Sequence, residues 1–317
     1  MPASEVCVFA GPAIAAYGFG AGHPFGPDRH QVFMDALQTG SLGKRVCMRG
    51  TAAAGEEQLG LFHSVDYIRR VRALSAAGSG YLDAGDTPVV PGIYEAACAV
   101  VGTALAASDA LMAGECGKAF VPIAGLHHCA RDRAAGFCVF NDCGVVLEHL
   151  HRHHGLTRIA YVDIDAHHGD GVFYAFEDCP WLYFADLHED GRYLYPGTGA
   201  ASESGHGEGQ GRKLNLPMPP GAGDEAFMVA WQTVETFLRE ARPEFIVLQC
   251  GADSLAGDPL THLAYSERAH AHAASRLAAL AQESGHGRVL ALGGGGYHRP
   301  NLARAWCAVV AAFLAAD

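Results

Sequence analysis

Three apolar runs in this 317-residue chain each end abruptly in a polar or glycine-rich cluster. "RIAYVDID" (158–165) runs into Ala166-His167-His168-Gly169-Asp170, "FIVLQC" (245–250) into Gly251-Ala252-Asp253, and "RVLAL" (288–292) into four glycines and Tyr297. A continuously apolar strand is one covered on both faces, which is the condition of a parallel sheet between layers of helices. Further apolar runs predict strands at 6–9 and 181–186, beside those at 158–164, 245–250 and 288–292. Longer segments predict helices near 28–38, 64–77, 92–113, 141–154, 224–241, 265–284 and 300–315, with Gly223-Asp224 before Glu225 marking the start of the fifth and Asn301-Leu302 after Pro300 that of the last. Strands therefore alternate with helices, an α/β arrangement with one parallel sheet. In such sheets ligands bind beyond the carboxyl ends of the strands, so the three polar endings are expected to meet at one site.

No internal repeat or long linker divides the chain, and residues 1–317 are read as one domain; 200–211 is the best loop candidate. The net charge of −12 disfavours general nucleic-acid binding and suits basic substrates. No apolar run reaches a membrane span, and the N-terminus lacks the basic start of a signal peptide. Ten scattered cysteines without a C-x-x-C pair read as reduced thiols of a cytoplasmic protein, with Cys138 and Cys250 as packing residues.

The densest chemistry lies in "YVDIDAHHGDG" (161–171). A polar loop after a strand is the plainer reading. However, Asp163, Asp165 and His167 are spaced so that an extended backbone aims all three one way, with Ile164 and Ala166 opposite. Converging carboxylates repel unless a cation lies between them, and mixed Asp and His donors suit Zn2+ or Fe2+. Asp253, whose ordinary role would be to cap the following turn, would as a third ligand complete Asp165 and His167 and leave a position for water. His127 and His128 can divide labour near a metal, one as general base and one charged, with Asp163 and Asp170 available as carboxylate partners. The run "LGGGGYHRP" (292–300) lacks the endings of a phosphate-binding loop, and its glycines suit close backbone approach, with Tyr297 free to donate to a developing oxyanion.

Together these segments resemble the zinc-dependent histone deacetylase family, including its bacterial deacetylase-like amidohydrolases. The likeness rests on "HPFGPDR" (23–29), "HSVDYI" (63–68), "GLHHCARDRAAGFCVFND" (125–142), "DIDAHHGDG" (163–171), "YPGTG" (195–199), "GADSLAGDPL" (251–260) and "GGGGY" (293–297), in family order. The resemblance implies an arginase-like α/β fold. It implies zinc on Asp165, His167 and Asp253, His128 as general base paired with Asp170, and His127 as second imidazole paired with Asp163. It implies that Tyr297 polarises the amide carbonyl, that Gly136, Phe137, Tyr195 and Leu260 line the acyl-lysine tunnel, and that Asp86 holds the substrate backbone at the rim. Arg29 matches a residue beside an internal channel behind the metal. A structural K+ is implied near Asp163, Asp165, His167 and Leu187, with Asp186 standing where many members have Ser.

The expected reaction is hydrolysis of N-acyl-lysine, in a peptide or as a small acylated amine, and association between copies of the chain is left open. An acetylpolyamine deacetylase is the alternative. Polyamine-specific relatives carry an acidic residue where this chain has Leu260. A ureohydrolase of the same fold needs further Asp ligands, and a silent acyl-lysine binder would have lost a ligand, a base or the tyrosine.

Overall fold

The strands form one eight-stranded sheet in a computed structural model that describes residues 5–20 and 22–316. They are β1 (Val6–Phe9), β2 (Cys47–Arg49), β3 (Lys118–Val121), β4 (Ile159–Asp163), β5 (Leu182–Glu189), β6 (Lys213–Met218), β7 (Phe245–Gln249) and β8 (Val289–Leu292). The spatial order is β2-β1-β3-β8-β7-β4-β5-β6, and every neighbouring pair is parallel. The strands β8, β7 and β4, the three that run into polar or glycine-rich endings, lie side by side at the centre.

Parallel neighbours require crossovers, and helices provide most of them. They are α1 (Pro12–Ala15), α2 (Asp28–Thr39), α3 (Glu56–Leu59), α4 (Val65–Ala77), α5 (Ile93–Met112), α6 (Asp142–Arg152), α7 (Asp170–Ala175), α8 (Asp224–Ala241), α9 (Glu267–Glu283) and α10 (Arg299–Ala315). On one face α10 packs against α2 and α9, and α8 against α9; on the other, α5 packs against α1, α4 and α6. The amphipathic stripe of α8 is plain in its buried residues Phe227, Trp231, Val234, Leu238 and Ala241, spaced alternately by four and three. By contrast α5 is apolar nearly all round, because protein covers it nearly all round. By length and composition it could cross a membrane, contrary to the sequence expectation, yet most of it is buried in the core.

The sequence reading missed β2, β3, β6, α1, α3 and α7. β2 and β6 are edge strands, where half-exposed residues blur the apolar signal and Pro217 is tolerated because one side needs no ladder bond. β3 has four residues and opens with a buried Lys118. The loop candidate 200–211 is irregular apart from a short turn of 3-10 helix at Gly207–Gly209. β5 continues three residues past its expected end, to Glu189, and α10 begins at Arg299, ahead of Asn301.

The register places Val121, Leu292, Gln249, Asp163, Asp186 and Asn215 in one row across six strands. Of its four polar members, Gln249 and Asp163 end their strands while Asp186 and Asn215 lie within theirs, and all are essentially buried. Behind the row, Trp306 of α10 donates from Nε1 to the Gly293 carbonyl at 2.9 Å and so anchors the glycine run after β8.

Candidate active site

The extended backbone of β4 ends at Asp163, two residues before the next carboxylate. Beyond it the chain turns tightly: Asp165 N–H donates to Asp163 Oδ1 at 3.1 Å, and His167 N–H to Asp165 Oδ1 at 3.0 Å. Ile164 and Ala166 are buried, as the alternation anticipates. The turns separate the three side chains that simple alternation had grouped. Asp163 faces His127, whereas Asp165 and His167 face Asp253.

One donor atom each from Asp165, His167 and Asp253 lies within 4.8 Å of the others. His167 Nδ1 is 3.1 Å from Asp165 Oδ1 and 3.2 Å from Asp253 Oδ2. The second oxygen of Asp165 accepts from Gln249 Nε2 and from Gly295 N–H, each at 2.9 Å, and Asp253 Oδ1 accepts from Ala166 N–H at 2.9 Å. Glycines make the approach feasible. A Cβ on Gly251 would strike the Asp165 carboxylate, and one on Gly295 would strike that of Asp253. Burial and the charge of Asp165 push Asp253 up to about 7. Burial opposes charge on His167 too, but the two carboxylates outweigh it and raise the ring to about 10. Two buried carboxylates and an imidazole nitrogen that draw in positive charge this strongly suit a divalent cation, and their number leaves a coordination position open.

The imidazole pair lies beside this cluster. His127 Nδ1 donates to Asp163 Oδ2 and His128 Nδ1 to Asp170 Oδ1, both at 2.7 Å, and the two Nε2 atoms approach to 3.2 Å. The start of α6 holds the pair in place. Asn141 caps the helix by accepting from Gly144 N–H at 2.8 Å, and its amide donates to the carbonyls of His127 and Cys129. Asp142 accepts from Gly125 and Leu126 N–H at 2.7 and 2.8 Å. The two rings are electrostatically unequal. Burial alone would depress His127, but Asp163 and Asp165 raise it to about 10. Burial and the neighbouring His127 hold His128 below the ordinary imidazole value.

A cavity of about 230 Å3 leads to this point, lined by Asp86, His128, Gly136, Phe137, His167, Leu194, Tyr195, Leu260 and Tyr297. Phe137 forms one wall from a left-handed backbone (φ 66°), which is unfavourable for a bulky residue. Two bonds hold it there: its carbonyl accepts from Tyr17 OH at 2.7 Å, and its N–H donates to Thr87 Oγ1 at 3.1 Å. Its ring lies 5.7 Å from that of Tyr297, while the Tyr195 ring lies 5.2 Å from His128. Asp258 fixes the peptide of Tyr297, accepting from its N–H at 2.8 Å. Asp86 is exposed at the mouth, and partial burial and the nearby Asp83 raise it to about 6.

The family profile described as histone deacetylase domain matches residues 23–313. This chain belongs to the histone deacetylase family. It is 36% identical over 294 residues to the acetoin utilization protein AcuC of Bacillus subtilis strain 168, covering 90% of this chain and 76% of that protein. It is 34% identical over 282 residues to a histone deacetylase-like amidohydrolase of Pseudomonas aeruginosa, covering 87% and 73%. The crystal structure of the HDA15 HD domain superposes with a TM-score of 0.89 at 24% identity, covering 99% of this chain and 90% of that one, which establishes the shared fold. The arginase/deacetylase-like α/β architecture is thus confirmed, and the protein is a deacetylase-type amidohydrolase.

In this deacetylase Asp186, at the position expected to help bind K+, is fully buried. It accepts from Gly169 N–H at 2.9 Å and from His188 Nδ1 at 2.8 Å, and His188 is raised because Asp186 outweighs burial. Arg29 is also fully buried. It donates to the carbonyls of Gly296 and Gly294 at 2.9 and 2.6 Å, with its guanidinium 3.9 Å above the Phe25 ring. Burial lowers it to about 10.

Sequence reasoning assigned no role to Gln249, Asp258, Asn141 or Asp142. Gln249 left a signal, a polar side chain ending an otherwise apolar strand. Nothing in the sequence sets Asp258 or the Asn141-Asp142 pair apart, because their bonds to the segments of Tyr297 and His127 depend on tertiary proximity.

Proposed function

We propose that this deacetylase hydrolyses the side-chain amide of N-acyl-lysine, using a divalent ion, Zn2+ in preference to Fe2+, on Asp165, His167 and Asp253. The cavity carries the reading. It is walled by the rings of Phe137 and Tyr195, apolar at Leu260, and closed at its inner end by His128, His167 and Tyr297. Such a passage grips a linear methylene stem and presents its terminal amide to the imidazoles.

When bound, the ion polarises the amide carbonyl and acidifies water. Asp170 holds the Nδ1 proton of His128, so the neutral ring presents its Nε2 lone pair as general base. His128 Nε2 takes the proton of the attacking water. Tyr297, whose hydroxyl burial keeps protonated, donates to the carbonyl oxygen as charge develops there. His127, kept cationic by Asp163, places its Nε2 proton next to the same point and supports protonation of the departing amine. Asp86 receives the substrate backbone at the rim. The carbonyls of Asp163, Asp165, His167 and Leu187, with the Asp163 carboxylate, would provide the place for a structural K+, and the buried Asp186 would add negative charge there.

A panel of acyl-lysine peptides of different chain lengths and acetylated polyamines, with metal content measured in parallel, tests the proposal. Faster turnover of an acyl-lysine peptide supports it. Preference for an acetylpolyamine over every peptide favours the second reading, for which the carboxylate of Asp86 at the mouth is the supporting observation, since it could pair with a second ammonium.

A further inference from the structure

The segment "EHLHRHHG" (148–155) places four histidines within six residues, and the deacetylase site uses none of them. His151 has a structural role: its ring stacks on Trp181 at 4.3 Å, and its Nδ1 pairs with the Leu156 carbonyl at 2.8 Å. At the far end of α6, His149 and His154 meet at a carboxylate of α5, and His153 lies against His149. His149 Nε2 lies 2.7 Å and His154 Nε2 lies 2.8 Å from the same oxygen, Asp109 Oδ1. The His149 ring is 5.1 Å from His154 and 5.0 Å from His153, centroid to centroid.

From this convergence we propose a second, non-catalytic metal site for a borderline divalent ion such as Zn2+, with Asp109, His149 and His154 as ligands. Each of the three offers a donor atom within 4.8 Å of the others. An Asp-His-His set is a nitrogen-and-oxygen environment that zinc accepts readily. Ligand atoms on a tetrahedral zinc stand about 3.3 Å apart, so the cluster has to open by roughly half an ångström. The exposed Asp109, with 53% of its side chain accessible, can provide that movement. The accessible side admits the ion and leaves room for water or His153 as a fourth ligand. An ordinary pair of hydrogen bonds would satisfy each ring separately; here both Nε2 atoms point at one oxygen from positions five residues apart.

The site is separate from the catalytic one. The Asp142 end of α6 adjoins His127 through Gly125 and Leu126, and His149 lies seven residues along the helix, about 10 Å at its rise per residue. A bound ion there ties the last turn of α6 to the second half of α5.

The test is a metal count on metal-loaded protein. Wild type and the double variant His149→Ala/His154→Ala are dialysed against the same free Zn2+, and bound zinc is measured by elemental analysis. Wild type is expected to bind one equivalent more than the double variant, with deacetylase activity equal in both, and Asp109→Asn is expected to lose the same equivalent. Excess Zn2+ should raise the Tm of metal-loaded wild type and leave that of the double variant unchanged. Equal zinc content in wild type and the active double variant overturns the proposal. Should the double variant misfold, Asp109→Asn alone decides, and an unchanged zinc count in that variant is equally fatal.

Discussion

Gln249 Nε2 donates to Asp165 Oδ2 at 2.9 Å, from the last residue of β7 to the loop beyond β4. The same amide nitrogen reaches the Gly125 carbonyl at 3.1 Å, and its oxygen accepts from Gly251 N–H at 2.8 Å. One side chain thereby joins the two ligand loops and the segment leading to His127. Gln249→Met removes all three bonds at similar volume. It is expected to weaken metal binding by about tenfold to a hundredfold. A competition titration with a chromophoric chelator measures this, and unchanged affinity in a folded variant would exclude the positioning role.

The ligand assignment makes a sharper demand. Asp253→Ala should lose most of the metal and nearly all activity. Gly295→Ala should do nearly the same without deleting any ligand, because the new Cβ intrudes on the Asp253 carboxylate. Elemental analysis of the two purified variants tests both statements. Full occupancy in folded Asp253→Ala would contradict the assignment.

Tyr297→Phe separates binding from catalysis. The metal should stay bound, and kcat should fall by on the order of a hundredfold or more, with KM changing much less. A near-normal kcat would show that the hydroxyl takes no part.

The pH profile follows from the unequal histidines. His128 must be neutral to accept a proton, and its value lies below that of an ordinary imidazole. Activity should therefore rise with pH through a limb on the acid side of the usual histidine range. Asp170 raises His128, so Asp170→Asn should move that limb to still lower pH while reducing kcat. His127 must keep its proton, which sets an alkaline limb. That limb should lie below about 10, the value to which Asp163 and Asp165 raise the ring, because a divalent ion at Asp165 opposes the imidazolium charge. A profile whose acid limb moves upward in Asp170→Asn would reverse the assignment of base and partner.

Leu260 governs substrate choice in this reading. An apolar residue at the mouth offers no countercharge to the second ammonium of an acetylpolyamine, and desolvating that group unpaired is unfavourable. Wild type should prefer acyl-lysine peptides in kcat/KM, and Leu260→Glu should narrow or reverse the preference, tempered by screening at an open rim. Equal ratios in the two proteins would remove Leu260 from the argument.

Much of this was readable from the chain because strands buried on both faces announce themselves as apolar runs. Where such a run stops at Asp163 or Gln249, the sheet's carboxyl edge is marked too. Asp165, His167 and Asp253 were legible for that reason. Edge strands such as Cys47–Arg49 were not, since one wet side removes the pattern. The turn that sends Asp163 to His127 was invisible to simple alternation, because it depends on side-chain to backbone bonds within the loop. The supports of the site were hidden for a related reason: Asp258 and Asn141 look like any turn or cap residue until a distant peptide arrives beside them.

The clamp on Phe137 has an evolutionary consequence. The wall's position is imposed by Tyr17 and Thr87, residues from two distant segments that do not line the cavity. Mutations at either could widen or narrow the passage and leave every lining residue unaltered. Selectivity among acyl chains can then drift within this lineage while the lining stays constant, and relatives with identical linings need not share substrates.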